Sequence, residues 1–152
     1  MREQVSSAII ISLSCDKQLM DEWSKKVLEL IPELIEEHKS IHEKAANNKR
    51  TYEEDRSKFN EFEEIVLNHI YKEETWVFAF MKEKGIFDDR SEEIASQHQE
   101  ITEILKSLET AKAGSFSENF DALLELLDLH HNGEENYVFP KALDFIKSRN
   151  LG

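Results

Sequence analysis

Residues 69–78 read HIYKEETWVF and residues 130–139 read HHNGEENYVF. Both fit His-x-x-x-Glu-Glu-x-aromatic-Val-Phe. An earlier pair of segments matches too: Leu34, His38 and Ile41 correspond to Ile94, His98 and Ile101. The offsets agree, 60 residues from His38 to His98 and 61 from His69 to His130. The chain therefore reads as two copies of a helix pair. In each copy the first helix offers one histidine and the second offers His-x-x-x-Glu.

Residues at i and i+4 of a helix lie one turn apart on the same face. His69 with Glu73, and His130 with Glu134, can each point at one cation. A pseudo-twofold between the copies brings His38, His69, His98, His130, Glu73 and Glu134 to a common centre. Six such ligands suit a pair of metals, each with two imidazoles, bridged by the carboxylates, as helical bundles build dinuclear sites. Without metal, four buried histidines and two buried glutamates are costly to desolvate. Imidazole with carboxylate suits iron, manganese or zinc, and the lack of thiolates removes softer choices.

Of the neighbouring polar residues, His42 can reach the site as a fifth imidazole; the others are expected to stay out of the coordination. His42, one turn after His38, is expected to support the ligands or face solvent. His131 is rotated about 100° from His130 on a helix and is expected off the site. Glu74 and Glu135 are expected in solvent or behind the ligands. Tyr71, Trp76, Phe78, Tyr137 and Phe139 read as packing, and Gly133 as close packing or room for a ligand.

Outward from these motifs the chain reads as helix throughout. Leu19, Trp23, Val27 and Leu30 step helically in the first 30 residues, which are expected to form an N-terminal helix or arm. Pro32 is placed to open a helix running to about Asn48. Thr51 and Glu54 form a T-x-x-E box ahead of the next helix, which Gly85 stops. Asp88 or Ser91 can cap a third helix ending near Gly114. Ser115 and Glu118 form a second box ahead of the last helix, which Pro140 is expected to kink or end. The expected organisation is an arm over residues 1–30 and a bundle over residues 31–150.

The bulk numbers agree. A length of 152 residues suits one domain with a real core. Only 4 glycines and 2 prolines point to long helices and short connections. The net charge of −13 argues against nucleic acid or an anionic membrane as partner. Cys15 is the sole cysteine, so no internal disulfide can form. The best apolar run, Ala8 to Leu13, is too short to span a bilayer. It is broken by serines near an acidic start, so no signal peptide is expected. These features predict a cytoplasmic protein.

At Glu37-His38, His69-x-x-x-Glu73-Glu74, Gln97-His98 and His130-x-x-x-Glu134-Glu135, followed by Val138-Phe139-Pro140, the sequence resembles the hemerythrin-like, or HHE cation-binding, family. The likeness covers about residues 31–147. It implies an all-α, antiparallel up-down four-helix bundle with a non-haem di-iron site. Carried across, His38 and His69 bind one iron, His98 and His130 the other. Glu73 and Glu134 bridge them, with an oxo or hydroxo bridge between the metals. Oxygen-carrying members have a further histidine one turn after the third-helix histidine and an aspartate in the last helix; here these positions are Thr102 and Glu134. Four histidines leave a coordination position open to oxygen, peroxide or nitric oxide.

Two functions are compatible with that resemblance. One is a module that binds or senses oxygen, or holds iron. The other is an enzyme consuming peroxide or reducing nitric oxide, or an iron donor in cluster repair. A third possibility is a structural bundle holding zinc or nothing.

Overall fold

The computed structural model describes residues 21–151, and the regular structure among them is entirely helical. Helix α1 spans Glu22–Glu54, with the Asp21 carboxylate accepting from the Ser24 amide at 2.6 Å. That side chain satisfies one of the free amides of the first turn. Pro32 lies inside α1 and opens no new helix. Proline removes one backbone hydrogen bond. The buried stripe of Val27, Leu30, Ile31 and Leu34 runs straight past it and holds the helix together.

The break comes later, at Asp55, which is extended (φ −130°, ψ 96°). Its carboxylate accepts from the Ser57 amide at 3.1 Å and its own amide donates to the Thr51 carbonyl at 2.8 Å. Thr51 therefore closes α1 and caps nothing. The expected boundary after residue 30 falls within α1. The rest of the expected arm, residues 1–20 with Cys15 and the Ala8–Leu13 run, lies outside the described residues.

Helix α2 (Arg56–Lys72) runs through a π-helical turn (Glu73–Phe78) into the short α3 (Ala79–Glu83). This rod ends at Gly85, whose φ of 74° only glycine adopts freely. There the Ile86 amide donates to the Met81 carbonyl (2.9 Å) and the Gly85 amide to the Lys82 carbonyl (3.2 Å), a Schellman ending. Helix α4 (Asp89–Glu109) is capped by Asp88, whose carboxylate accepts from the Ser91 amide at 2.9 Å.

Helix α5 (Ala113–Gly133) starts two residues ahead of Ser115, so the expected Ser115–Glu118 box does not form. The Ser115 hydroxyl donates instead to the Lys112 carbonyl at 3.2 Å. A second π-helical turn (Glu134–Val138) leads into α6 (Phe139–Leu151). Pro140 sits in the first turn of α6 and does not end the rod. No described helix is long and apolar enough to cross a membrane.

The rods close a ring: α1 packs on α2 and α5, and α4 packs on the same two. The Arg56 guanidinium locks one corner by donating to the carbonyls of Leu108 (2.8 Å) and Ala111 (2.7 Å), where the α4 dipole is negative. Among the described residues the apolar interior forms two clusters. One holds Ile41, Phe59, Phe62, Leu105, Phe116 and Phe120 among others. The other holds Leu34, Val77, Phe80, Met81, Ile94 and Phe139 among others. Each ligand candidate lies along its rod between a residue of one cluster and a residue of the other, as His38 does between Leu34 and Ile41. A polar layer thus crosses the bundle between two dry cores.

Glu63 is also buried, beside Glu109. Burial, then the hydrogen bond and charge of Glu109, push its carboxyl up to about 7. Its ordinary value is 4.5, so the folded chain binds the extra proton between the two values. Stability from this site therefore falls as pH rises from about 4.5 to 7 and stays reduced above. Glu63→Gln is expected to raise the thermal midpoint at pH 8 and leave it nearly unchanged at pH 4. Equal shifts at both pH values would contradict this.

Candidate metal centre

The structure brings all six predicted residues into one buried cluster. His38, His69, His98 and His130 are 1–3% exposed, and Glu73 and Glu134 are 0% exposed. In each His-x-x-x-Glu pair the glutamate amide still bonds to the carbonyl of the histidine one turn before it, which keeps the two on one face. The π turns begin at Glu73 and Glu134, the same position in both copies. The extra residue rotates the remainder of each rod, so that adjacent residues Val77 and Phe78, and Val138 and Phe139, are both buried in the second core. Single π turns of this kind occur often at functional sites. Proline does not explain them, since only the second is followed by one.

The carboxylates divide their oxygens. Glu73 sets Oε2 at 3.2 Å from His38 Nε2 and 2.8 Å from His69 Nε2, and Oε1 at 3.0 Å from His98 Nε2. Glu134 sets Oε1 at 3.0 Å from His38 Nε2, and Oε2 at 3.4 Å from His98 Nε2 and 2.9 Å from His130 Nε2. Each carboxylate therefore turns one oxygen to the His38–His69 side and the other to the His98–His130 side.

Two donors at right angles on a metal, with bonds of about 2.1 Å, stand about 3 Å apart. The observed spacings fit. Four buried atoms here, Nε2 of His69 and of His130 and both oxygens of Glu134, have no hydrogen-bond partner. Orphaned buried polar atoms need a reason, and a cation at their convergence supplies one. Among the described residues two groups of four converge this way: His38, His69, His131 and Glu134, and Glu73, His98, His130 and Glu134.

Behind the ligand candidates each Nδ1–H is anchored. His38 donates to Glu135 (2.6 Å), His69 to Glu37 (2.8 Å), His98 to Glu74 (2.9 Å) and His130 to Gln97 (2.9 Å). Glu37 is in turn held by Lys72. Fixing Nδ1–H leaves the Nε2 lone pair aimed inward, the usual arrangement behind a metal-binding imidazole. The pattern is reciprocal: Glu74 of the first copy serves the second, and Glu135 of the second serves the first.

Sequence reasoning misses Glu37 and Gln97 as anchors. A signal for them exists, since each directly precedes a candidate histidine at the same offset. Glu74→Ala and Glu135→Ala are each expected to weaken metal binding about 10–100-fold while the bundle stays folded. A chelator-competition titration measures this; unchanged affinity in both variants contradicts the anchoring role.

His131 corrects the sequence expectation. It is 4% exposed and lies over His38 at a ring separation of 3.7 Å and 13°. Tyr71, expected to pack, is 63% exposed. Gly133 is a close approach: a Cβ there would stand 3.1 Å from Ile94, one turn before His98.

Burial opposes charge on His38, but Glu134 and Glu73 outweigh it and raise its pKa to about 10. His98 rises to about 11 against the same burial, through Glu134, Glu73 and Glu74. Burial pushes Glu73 up, but His69 and the contacts of His38 and His98 hold it well below the carboxylate range. Without metal, protons on His38 and His98 offset the buried carboxylates. Metal uptake must release them.

Comparison with curated proteins and with solved structures gives no match. The family model for the hemerythrin HHE cation binding domain matches residues 18–142, from ahead of α1 into α6. That span includes every residue of the buried cluster and all four of its anchors, and the chain belongs to the hemerythrin HHE cation-binding domain family.

Proposed function

We propose that the chain is a non-haem di-iron protein that binds oxygen, or a related small ligand such as peroxide or nitric oxide, at a carboxylate-bridged iron pair. His38 and His69 hold one iron, His98 and His130 the other, and Glu73 and Glu134 span the two. The observation that carries this is the division of each carboxylate's oxygens between the two histidine pairs. A single ion leaves half of those oxygens without purpose. Bound iron supplies redox capacity and a position for an exogenous ligand. The protein's own residues fix the imidazoles through their Nδ1–H bonds and exclude water with the cores on either side.

The bundle is read as antiparallel and up-down. Going up α1, its partners on the second rod descend, from Trp76 at Trp23 through His69 at His38 to Phe59 at Tyr52. The net charge of −13 and single cysteine support a cytoplasmic setting.

A second reading, an enzyme acting on peroxide or nitric oxide, is favoured by a cleft of about 590 Å³ that reaches His98 from solvent. The test is the metal content of protein from iron-replete cells, with optical spectra before and after air. A pair of irons per chain, near-ultraviolet charge-transfer bands and a stable azide adduct without turnover are expected. Catalytic loss of peroxide or nitric oxide moves the assignment to the enzyme. Zinc alone, or no metal in a folded protein, overturns both.

A further inference from the structure

We infer that His131 is a positioning residue for His38: its ring, stacked on that of His38 and fixed by His42, holds the His38 imidazole in one plane and makes the His38–His69 position the firmer of the two. This rests on the dinuclear reading above and adds to it which metal is held harder.

The stack itself excludes a shared ion. An imidazole binds metal through a lone pair in its own ring plane. The buried His131 ring lies 3.7 Å from that of His38 at 13°, so one ion cannot lie in both planes. His131 therefore acts on the His38 ring and not on the metal. Its Nδ1 stands 3.0 Å from Nε2 of His42, whose ring meets it edge-on at 5.0 Å and 84°. One proton shared between those nitrogens fixes the plane of His131, and the stack imposes that plane on His38. A ring so confined has little freedom left to lose when its Nε2 takes a metal.

The internal repeat provides the control. On the rod of α5 and α6, His131, Glu135 and Phe139 follow at steps of four, and all three meet His38. His131 stacks on it, Glu135 accepts its Nδ1–H at 2.6 Å, and Phe139 lies as a second parallel ring at 5.8 Å and 15°. By the same offsets the corresponding residues for His98 are Ile70, Glu74 and Phe78. Glu74 accepts the His98 Nδ1–H at 2.9 Å, and Phe78 stacks on the ring at 5.3 Å and 26°. Two supports out of three are thus repeated. The third is not: Ile70 is buried and fills space, but it has no ring to stack. Thr102 stands at the place of His42, and its hydroxyl donates to the His98 carbonyl at 2.8 Å. Isoleucine meets the packing need at this position, so what histidine adds is a ring of fixed plane.

The test loads the whole chain with Co(II) and removes it stepwise with a competing chelator. Proton NMR of the exchangeable, hyperfine-shifted imidazole N–H resonances shows which position empties. In the unaltered protein those of His98 and His130 are expected to vanish first. His131→Ile, which installs the residue of the other copy, should weaken the His38–His69 metal about tenfold and leave the other unchanged. His131→Phe keeps a ring to stack and should recover part of that loss. His42→Ala, which frees the His131 ring, should weaken the same metal and not the other. A His131→Ile chain that matches the unaltered one, equal weakening of both metals, or earlier loss of the His38–His69 metal in the unaltered chain overturns the inference while the dinuclear reading stands. If the unaltered chain binds fewer than two Co(II), that reading falls and the inference with it. The order of release in the unaltered chain decides the matter if the variants do not fold.

Discussion

Alanine at Glu73 or Glu134 is expected to empty both metal positions, not one. Each carboxylate presents an oxygen to both histidine pairs, so on the dinuclear reading proposed above truncating either removes a ligand from both ions at once. The ion pair also loses the negative charge that offsets its own repulsion in a buried layer, where charges interact far more strongly than in water. Metal per chain, measured by atomic emission after desalting, should fall from about two to nearly none, because a dinuclear bundle site draws its bridging ligands from facing helices. Glu74→Ala, one residue along but behind the site, provides the contrast: weaker binding with both positions still filled at high metal. Retention of a full pair in Glu73→Ala or Glu134→Ala would sink the bridging assignment.

Chelation is expected to lower the thermal midpoint sharply while leaving the chain helical at room temperature. Metal that binds only the folded state adds its binding free energy to stability. Without metal, His69, His130 and Glu134 keep only close ion-pair contacts of 2.8–3.0 Å that lack good hydrogen-bond geometry, a poorer satisfaction of buried groups than coordination. A loss of about 5 kcal/mol in a chain of this size corresponds to roughly 10–20 °C. Helicity should persist because both apolar cores remain. Each contains several fully buried large side chains, such as Phe59, Phe62, Phe116 and Phe120 on one side and Phe80, Met81 and Phe139 on the other. Circular dichroism melts before and after chelation, with metal restored as the reversal, measure the effect. An unchanged midpoint after complete removal would mean that the polar layer is satisfied by its own protons.

These expectations trace back to features of unequal legibility in the sequence. The ligand candidates are read directly, because His-x-x-x-Glu is a local pattern on one helix face and the repeat doubles it. Helix ends are less legible. Thr51–Glu54 and Ser115–Glu118 have the residue types of capping boxes, yet both lie within or beyond the turn that needs a cap. Asp55 and Lys112 take those places because packing along α1 and α5 sets where each helix stops. Pro32 misleads in the same way: its local cost is outweighed by the buried stripe on either side of it.

The sequence by itself determined the helical class, the two-copy plan and the six inward-facing residues. Each of these stems from spacing within one helix, and spacing is covalent. The tertiary structure alone decided which histidine each anchor serves, as with Glu135 and His38, 97 residues apart. It also decided that His131 is inside, next to His38 and His42. On a single α-helix His131 points about 100° away from His130, which reads as outward. Between α1 and α2 that direction is also buried, because a residue's surroundings are set by the neighbouring helices and not by its own.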